Sequence, residues 1–436
     1  MEALDAGLIC FAGMFVLLIL GVPIGFAMGI AGLTGISMII GPGAAFALFG
    51  TTAYETTITY DLSIIPLFIL MGSVASRSGL SQELYEAFDA WIGSFRGGLA
   101  LATIGACGAF AAICGSSLAT AATMSKVALP EMKRYHYAES LATGSVAAGG
   151  IIGILIPPSV ILVLYGILTE TSIGDLFIAG FLPGILTILG FMIAISVVTR
   201  IWPDISQPGK KSDFAAKMRA LGNTWGVLLL FLLVIGGIYF GVFTPTEAAG
   251  IGAVGAFVIS AIRRKLKWES VKEALIETIT TTSMIFFILI GAITLNNLLV
   301  FSGIANALSD FVGGLSYPPL VIMAIILLIY MLMGCVLDAL AMILLTIPIF
   351  FPIVESLNFD PVWFGILVVM VVELGLITPP IGMNVFVIKG MAPDVALSSI
   401  YIGVLPFVVA QILLIVLIFF VPEIVLWLPE TAAQFR

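Results

Sequence analysis

Two proline pairs interrupt apolar runs of the sequence at places where freed backbone groups could bind an ion. The runs are GlyIleLeuIleProProSer at 153–159 and GlyLeuIleThrProProIle at 375–381. A proline inside a helix removes a backbone donor and clashes with the carbonyl four residues before it. Carbonyls freed in this way inside a membrane must be buried in protein or line a wet cavity. The sequence therefore predicts two broken helices, and a dehydrated sodium ion is a suitable partner for the freed carbonyls.

Hydroxyl and amide side chains lie beside both breaks. They offer neutral oxygens to a cation and hydrogen bonds to an organic anion, and the half-helix N termini beyond the breaks favour negative charge. A proline pair that only kinks a packed helix is the competing interpretation, and its occurrence at matching places in both halves of the chain favours a binding site. The residues that we expect to contact substrate are Pro158, Ser159, Thr378, Pro380 and Asn384.

A second group of polar residues is GlySerSerLeuAlaThr at 115–120, with a counterpart that runs from Gly334 to Asp338. Its hydroxyl groups either pack helices closely or ligate an ion. An intramembrane carboxylate is costly, so Asp338 is a candidate functional residue, and Glu373 either has a function or pairs at the edge of a loop.

The elements that must position these residues are membrane helices. The chain of 436 residues is 61% hydrophobic and only 10% charged, whereas soluble domains carry about 25% charged residues. One helical crossing needs about 20 apolar residues, and the apolar runs predict about ten to twelve crossings, some of them broken. The fold class expected is therefore an all-α integral membrane protein.

Histidine and cysteine usage argues against an enzyme. His136 is the only histidine, and Cys10, Cys107, Cys114 and Cys335 lie in apolar runs without CxxC spacing. Thiolate metal sites, disulfides and Ser-His-Asp triads are therefore not expected, and neither is a cofactor. An intramembrane enzyme could use Asp338 and Glu373 as acid and base, but no nucleophile–base pair accompanies them. A purely structural scaffold would leave the paired breaks unexplained.

The sequence contains an internal duplication. PheIleLeuMetGly at 68–72 matches PheIleLeuIleGly at 287–291, and GlyPheLeuPro at 180–183 matches GlyValLeuPro at 403–406. The two proline pairs fall between these matches in the same order. We predict a first repeat at 1–205, a cytoplasmic loop at 206–221 and a second repeat at 222–436.

Basic residues form two clusters that set the topology. Short cytoplasmic loops are rich in Lys and Arg, so both clusters are expected in the cytoplasm and the acidic N terminus in the periplasm. Equivalent starting points on opposite faces make the repeats inverted, with substrate bound near the midplane and alternating access. Alternatively, the basic clusters could bind anionic lipid or nucleic acid. Because they lie beside membrane spans, we expect them to contact the lipid bilayer and no nucleic acid. The clusters are Arg200, Lys210, Lys211, Lys217 and Arg219, and then Arg263, Arg264, Lys265, Lys267 and Lys272.

The segment from Ser81 to Phe95 differs from the apolar runs. Apolar residues including Leu84, Tyr85 and Phe88 form one helical stripe, with acidic residues opposite. This pattern predicts an interfacial amphipathic helix, which either connects a static scaffold to a moving bundle or lies on the membrane surface.

These motifs together resemble the large membrane subunit of TRAP (tripartite ATP-independent periplasmic) transporters. The resemblance covers nearly the whole chain, and includes ProGluMet at 130–132, PheThrProThrGluAlaAla at 243–249 and the extension of the second break to GlyMetAsn at 382–384. It implies a multi-pass protein of the bacterial inner membrane with two re-entrant hairpins and an elevator mechanism. It also implies three partners: a soluble periplasmic substrate-binding protein, a small four-helix membrane subunit on a separate chain, and a carboxylate substrate such as sialic acid or a C4-dicarboxylate.

The resemblance further implies sodium as the coupling ion, bound where the hairpin tips meet the breaks. The nearest alternative is a receptor-independent sodium-dicarboxylate symporter with similar hairpins. The implied sodium ligands are Ser116, Ser117, Thr120, Gly153, Gly334, Asp338, Gly375 and Thr378.

Overall fold

The computed structural model describes residues 2–209, 211–314 and 317–434, in which helices are the regular secondary structure. Lys210, one member of the first basic cluster, lies outside the described residues. The first ten helices are α1 (Ala3–Ile19), α2 (Ile24–Ile40), α3 (Pro42–Ile58), α4 (Ile64–Arg77), α5 (Leu80–Ile92), α6 (Gly98–Cys114), α7 (Ser117–Arg134), α8 (Glu139–Leu155), α9 (Val160–Leu168) and α10 (Ile173–Ile201).

The second part of the chain begins with a short helix that overlaps the predicted cytoplasmic loop and ends two residues beyond it. A π-helical turn at Leu232–Gly236 lies within the next helical segment, Trp225–Tyr239, which is bent by 47° relative to the short helix. The helices are α11 (Phe214–Asn223), α12 (Trp225–Phe231), α13 (Gly237–Tyr239), α14 (Pro245–Ile262), α15 (Trp268–Ser302), α16 (Ile304–Gly313), α17 (Pro319–Gly334), α18 (Ala339–Ser356), α19 (Pro361–Gly375), α20 (Met383–Met391), α21 (Leu397–Phe420) and α22 (Glu423–Ala432).

The helices are long and apolar enough to make this a membrane protein. In the described ranges six helices could cross a bilayer, or eight if each of two bent helix pairs is one span. Shorter apolar helices such as α1 and α2 have 17 residues, about 26 Å of helix against a hydrocarbon core of about 30 Å. The all-α membrane fold is confirmed, while the figure of about ten to twelve crossings stays a prediction.

Local signals explain where several helices begin. The PheThrProThrGluAlaAla motif starts α14: Thr244 accepts from the Glu247 amide at 3.3 Å, and the Glu247 carboxylate accepts from the Thr244 amide at 2.9 Å. This reciprocal capping box satisfies two amides that no helical carbonyl can reach, and Pro245 fits the first helical position. The motif therefore has a structural role at the start of α14.

One group of helices, which we call the frame, consists of α1, α2, α4, α14 and α15. Here α2 packs along α15, α14 packs along α4, and α15 also contacts α4. Glycines allow the close approach: a Cβ on Gly32 would lie 2.7 Å from the Thr294 carbonyl oxygen. Small residues at such contacts are how membrane helices gain packing energy.

The second group, which we call the core group, consists of α6 to α9 and α17 to α20. Two helix pairs in it are joined by short turns and contact each other, α6 with α7 and α17 with α18, and each pair is followed by an interrupted helix, α8–α9 or α19–α20. The same order in both halves is the order expected of repeats, and the repeat boundaries stay a prediction. This group places the predicted site residues.

The predicted amphipathic helix is α5, which runs from Leu80 to Ile92 and connects α4 of the frame to α6 of the core group. Leu84 and Tyr85 are buried, and α11 packs against the same helix. The Gly209 amide donates to the Gly93 carbonyl at 2.9 Å, which ties the connecting segment to the end of α5. The helix is thus a covered connection between frame and core group.

Candidate functional site

The first break separates α8 from α9 at residues 156–159, and the two helices are bent by 41°. Ser159 begins α9, with its hydroxyl accepting from the Leu162 amide at 3.3 Å. Pro157, Pro158 and Ser159 are buried. Ser159 therefore caps a half-helix in the protein interior.

The second break separates α19 from α20 at residues 376–382 and is more open. Pro379 and Pro380 are exposed, and Thr378 donates to the Leu374 carbonyl at 2.6 Å. Gly382 precedes α20 with φ of +62°, a conformation that favours glycine. The hydroxyl of Thr378 is therefore engaged within its own segment.

The turn between α6 and α7 lies directly against the first break. Gly115 makes this turn with φ of +63°, and a Cβ there would meet the Pro158 carbonyl oxygen at 2.6 Å. A Cβ on Gly153 would lie 2.7 Å from the Ser116 carbonyl oxygen and 2.8 Å from the Thr120 hydroxyl. The Thr120 hydroxyl is buried, and within the described residues it makes no hydrogen bond of normal geometry. The structure thus brings the predicted residues Ser116, Thr120 and Gly153 together.

Residues of the second half reach the same stretch of α8. Glu373 on α19 is fully buried, and one carboxylate oxygen accepts from the Ile154 amide at 3.2 Å, while the other makes no hydrogen bond within the described residues. Asn384 on α20, also fully buried, donates to the Ala147 carbonyl at 3.3 Å, two turns earlier, and its amide oxygen accepts no hydrogen bond from the described part of the chain. Buried oxygens without donors are costly unless water or a cation satisfies them.

The turn between α17 and α18 packs against the second break. Gly334 and Gly375 approach so closely that a Cβ on Gly375 would lie 2.7 Å from the Gly334 Cα. Asp338 caps α18, with one carboxylate oxygen accepting from the Ala341 amide at 3.0 Å. Gly382 donates to the Cys335 carbonyl at 3.2 Å. Hence Gly334, Gly375 and Asp338 are also neighbours, and part of the Asp338 carboxylate serves the helix.

A cleft of about 590 Å³ separates the frame from the core group. Ser116, Ser117 and Asp338 line it on the core side, and residues of α4 and α15 line it opposite. The five residues expected to contact substrate, Pro158, Ser159, Thr378, Pro380 and Asn384, do not line this cleft; the neighbouring Val160 and Leu376 do. The first break lies behind the turn between α6 and α7: the Pro158 carbonyl oxygen faces Gly115, and the Ser159 hydroxyl serves its own helix, α9.

Two cations in this cleft were missed by sequence analysis. Arg77, set at the end of α4, pairs with Glu273 and, at 2.8 Å, with Glu277. Lys126 on α7 lines the cleft and forms no ion pair among the described residues. Lys126 shares one face of α7 with Ala119, Ala122 and Thr123, at the i, i+3, i+4, i+7 spacing of a helix face, and all four line the cleft. The position of Arg77 depends on how α4 meets α7, which no local pattern contains.

The atoms at both breaks that could coordinate a cation are mostly oxygens. Within the described ranges no group of three or more His, Cys, Asp or Glu could hold a metal ion. Carbonyl, hydroxyl and amide oxygens suit hard cations rather than transition metals. The arrangement is therefore suited to an alkali cation between a hairpin turn and a broken helix, beside a cleft large enough for a small organic molecule.

Comparison with known proteins agrees with a transport role. The crystal structure of the Alcanivorax borkumensis YdaH transporter superposes with a TM-score of 0.67 at 15% identity, covering 86% of this chain and 88% of that chain, a likeness of fold alone. The relatives in sequence are transporter permease subunits, so the chain is a membrane transporter and not an enzyme.

The sequence model of one protein family, the DctM component of the tripartite ATP-independent periplasmic transporters, matches residues 11–424. The chain therefore belongs to this family. The C4-dicarboxylate TRAP transporter large permease protein DctM of Pseudomonas aeruginosa is 36% identical, over 86% of this chain and 88% of that protein. The sialic acid TRAP transporter large permease protein SiaM of Vibrio cholerae is 30% identical over 96% and 97%. The chain is therefore a TRAP large permease subunit, a multi-pass protein of a bacterial inner membrane.

Proposed function

We propose that this subunit carries a small organic acid into the cell with sodium, by an elevator movement of the core group against the frame. The observation that carries the proposal is that Thr120, Glu373 and Asn384 all meet α8 within the two turns from Ala147 to Ile154, where the Ser116 carbonyl also lies against Gly153. Each of the three has a buried oxygen that makes no hydrogen bond within the described residues. Broken helices supply carbonyls and half-helix ends to Na⁺ in other secondary transporters. Sodium bound there would hold the hairpin turn against the break.

The substrate we propose is a carboxylate, such as a C4-dicarboxylate or sialic acid, which are the substrates named for two relatives. The cleft contains Arg77 and Lys126, and only Arg77 has carboxylate partners among the described residues. An unpaired cation in a water-filled cleft raises the local concentration of an anion. Two further partners are proposed: a soluble periplasmic binding protein that delivers the acid, and a small four-helix membrane subunit.

Replacing Thr120 with valine separates ion binding from folding. Valine has nearly the same shape but lacks the hydroxyl, so we expect the sodium concentration for half-maximal uptake to rise about tenfold, which is about 1.4 kcal/mol. Removing a buried unpaired hydroxyl should leave thermal stability in sodium-free buffer unchanged or higher, since such a group costs about 1–3 kcal/mol. Uptake titrated with sodium, and unfolding in choline buffer, measure the two effects. An unchanged sodium dependence would exclude this hydroxyl as a ligand.

Reversing the charge of Lys126 should slow transport without affecting ion binding. For Lys126→Glu we expect about a tenfold loss of uptake at low ionic strength, and about threefold for Lys126→Gln, because the cleft loses its attraction for anions. The loss should shrink as salt screens the charge. Lys133→Glu, at the exposed far end of the same helix, is the matched control. Equal uptake by the Lys126 and Lys133 variants would refute a role for this cation.

Receptor dependence distinguishes the proposed function from the stand-alone symporter. Proteoliposomes with this chain and its small subunit should take up labelled succinate or sialic acid only when the cognate periplasmic binding protein is added. Each net positive charge that enters gains about 2.3 kcal/mol per 100 mV, so an inside-negative potential should raise uptake if sodium charge exceeds substrate charge. Full uptake without the binding protein would instead support a receptor-independent symporter.

A further inference from the structure

We propose that Tyr401 is a positioning residue that holds the turn of the second hairpin against the second break and so sets the apparent affinity for the coupling ion. The inference rests on the proposed function of ion-coupled transport. It concerns a side chain on α21, outside both hairpins and both breaks.

The hydroxyl of Tyr401 binds two carbonyls of the second break. It lies 2.6 Å from the Ile381 oxygen and 3.0 Å from the Pro380 oxygen, so its single proton is shared between them. Pro380 is exposed and Ile381 is half-buried. Few side chains therefore pack around this part of the break, and the tyrosine attaches it to a long helix, α21.

The same peptide group also contacts the hairpin turn. The carbonyl between Ile381 and Gly382 accepts from Tyr401, while the Gly382 amide of that peptide donates to the Cys335 carbonyl at 3.2 Å. A trans peptide is planar, with its carbonyl and amide pointing in opposite directions. Orienting one end orients the other, so Tyr401 acts through one peptide on the segment that leads to Asp338, three residues beyond Cys335.

Within the described residues, no tyrosine makes such an attachment to the first break. With the offset of 223 residues that aligns Gly180 with Gly403, the position of Tyr401 corresponds to Ile178, which is apolar and buried. Buried packing instead surrounds Pro157, Pro158 and Ser159. The tyrosine is thus present in the half whose break is open, where a bond to a neighbouring helix has most effect on position.

Tyr401→Phe removes the hydroxyl and keeps the ring. We expect the sodium concentration for half-maximal uptake and the substrate KM each to rise threefold to tenfold, with the maximal rate at saturating sodium and substrate retained. Tyr239→Phe is the control, because the Tyr239 hydroxyl lies 3.3 Å from the Thr431 hydroxyl, and α13 and α22, which carry the two residues, belong to neither break. A purely structural loss would lower the maximal rate and the thermal stability together and leave both half-saturation values unchanged.

A readout independent of transport is alkylation of Cys335, which is 4% exposed in the turn that Tyr401 is proposed to hold. In protein whose other three cysteines are replaced by alanine, Tyr401→Phe should speed maleimide labelling about tenfold and Tyr239→Phe should not. Equal labelling rates and equal sodium half-saturation in the Tyr401 variant and its parent would overturn the proposal. If uptake by the parent needs no ion gradient, the proposed function fails, while faster labelling would still support the attachment.

Discussion

Replacing Gly153 with alanine is expected to reduce sodium-driven uptake at least about a hundredfold in protein that still folds. The added Cβ would lie 2.7 Å from the Ser116 carbonyl oxygen and 2.8 Å from the Thr120 hydroxyl, closer than side-chain carbons approach such atoms. The backbone oxygen cannot rotate away, so the hairpin turn must retreat from the break. Displacements of about 1 Å at a functional site can cost about a hundredfold in rate.

The matched control for this variant is Gly250→Ala in α14. Gly250 is also a helical glycine, but a Cβ there meets nothing within 4 Å, so uptake should stay near that of the parent. Initial rates in proteoliposomes, normalised to reconstituted protein, compare the two variants. Uptake by Gly153→Ala within threefold of the Gly250→Ala rate would show that close contact between hairpin turn and break is not required.

Asp338→Asn is the second substitution expected to have a large effect, about a hundredfold loss of uptake with little change in stability. Asparagine caps helices as well as aspartate does, so α18 should keep the bond now made to the Ala341 amide. What is lost is the negative charge that Asp338 presents to the cleft. Interactions with charged groups contribute about 1.5–3 kcal/mol, and 2.7 kcal/mol corresponds to about a hundredfold.

Asp338→Ala tests the two roles of this residue separately. Alanine removes the cap as well as the charge, so it should lose about 1 kcal/mol of stability in addition to transport. Thermal unfolding in detergent and uptake in proteoliposomes give the two quantities. If Asp338→Asn transports normally while Asp338→Ala is destabilised, the carboxylate serves only to begin α18, and its place among the expected ion ligands is wrong.

The sequence predicts the breaks because their cause is local. Proline has no backbone N–H to donate a helical hydrogen bond. Pro157 lies in the non-helical segment that follows α8, and Pro380 lies in the one that follows α19. The hairpin turn at Gly115 is likewise signalled by a glycine followed by two serines, since φ of +63° favours glycine. These features require no knowledge of the partner helices.

The contacts of the site depend on packing that no local pattern contains. Glu373 bonds to Ile154, which is 219 residues away in the sequence, and Asn384 bonds to Ala147, which is 237 residues away. Sequence analysis identified Glu373 as costly but could not tell which helix it meets. Asp338 was expected as an ion ligand, and its bond to the Ala341 amide becomes visible only once the start of α18 is known.

The placement of the cleft is a second property beyond sequence patterns. Arg77 lines the cleft because α4 lies opposite α7 across the space between frame and core group. Ser159 and Asn384 were expected to contact substrate, and both face the interior beside α8. Chemistry could be inferred from residue types, whereas the side of the helix that meets substrate required the fold.

The central claim is that sodium entry drives accumulation of an organic acid through this subunit. The most direct measurement is uptake of labelled succinate and sialic acid into proteoliposomes that contain this chain, its small subunit and the periplasmic binding protein. An inward sodium gradient should drive accumulation above equilibrium, and equal sodium on both sides or replacement by potassium should abolish it. Accumulation that is the same with and without a sodium gradient would contradict the proposed coupling.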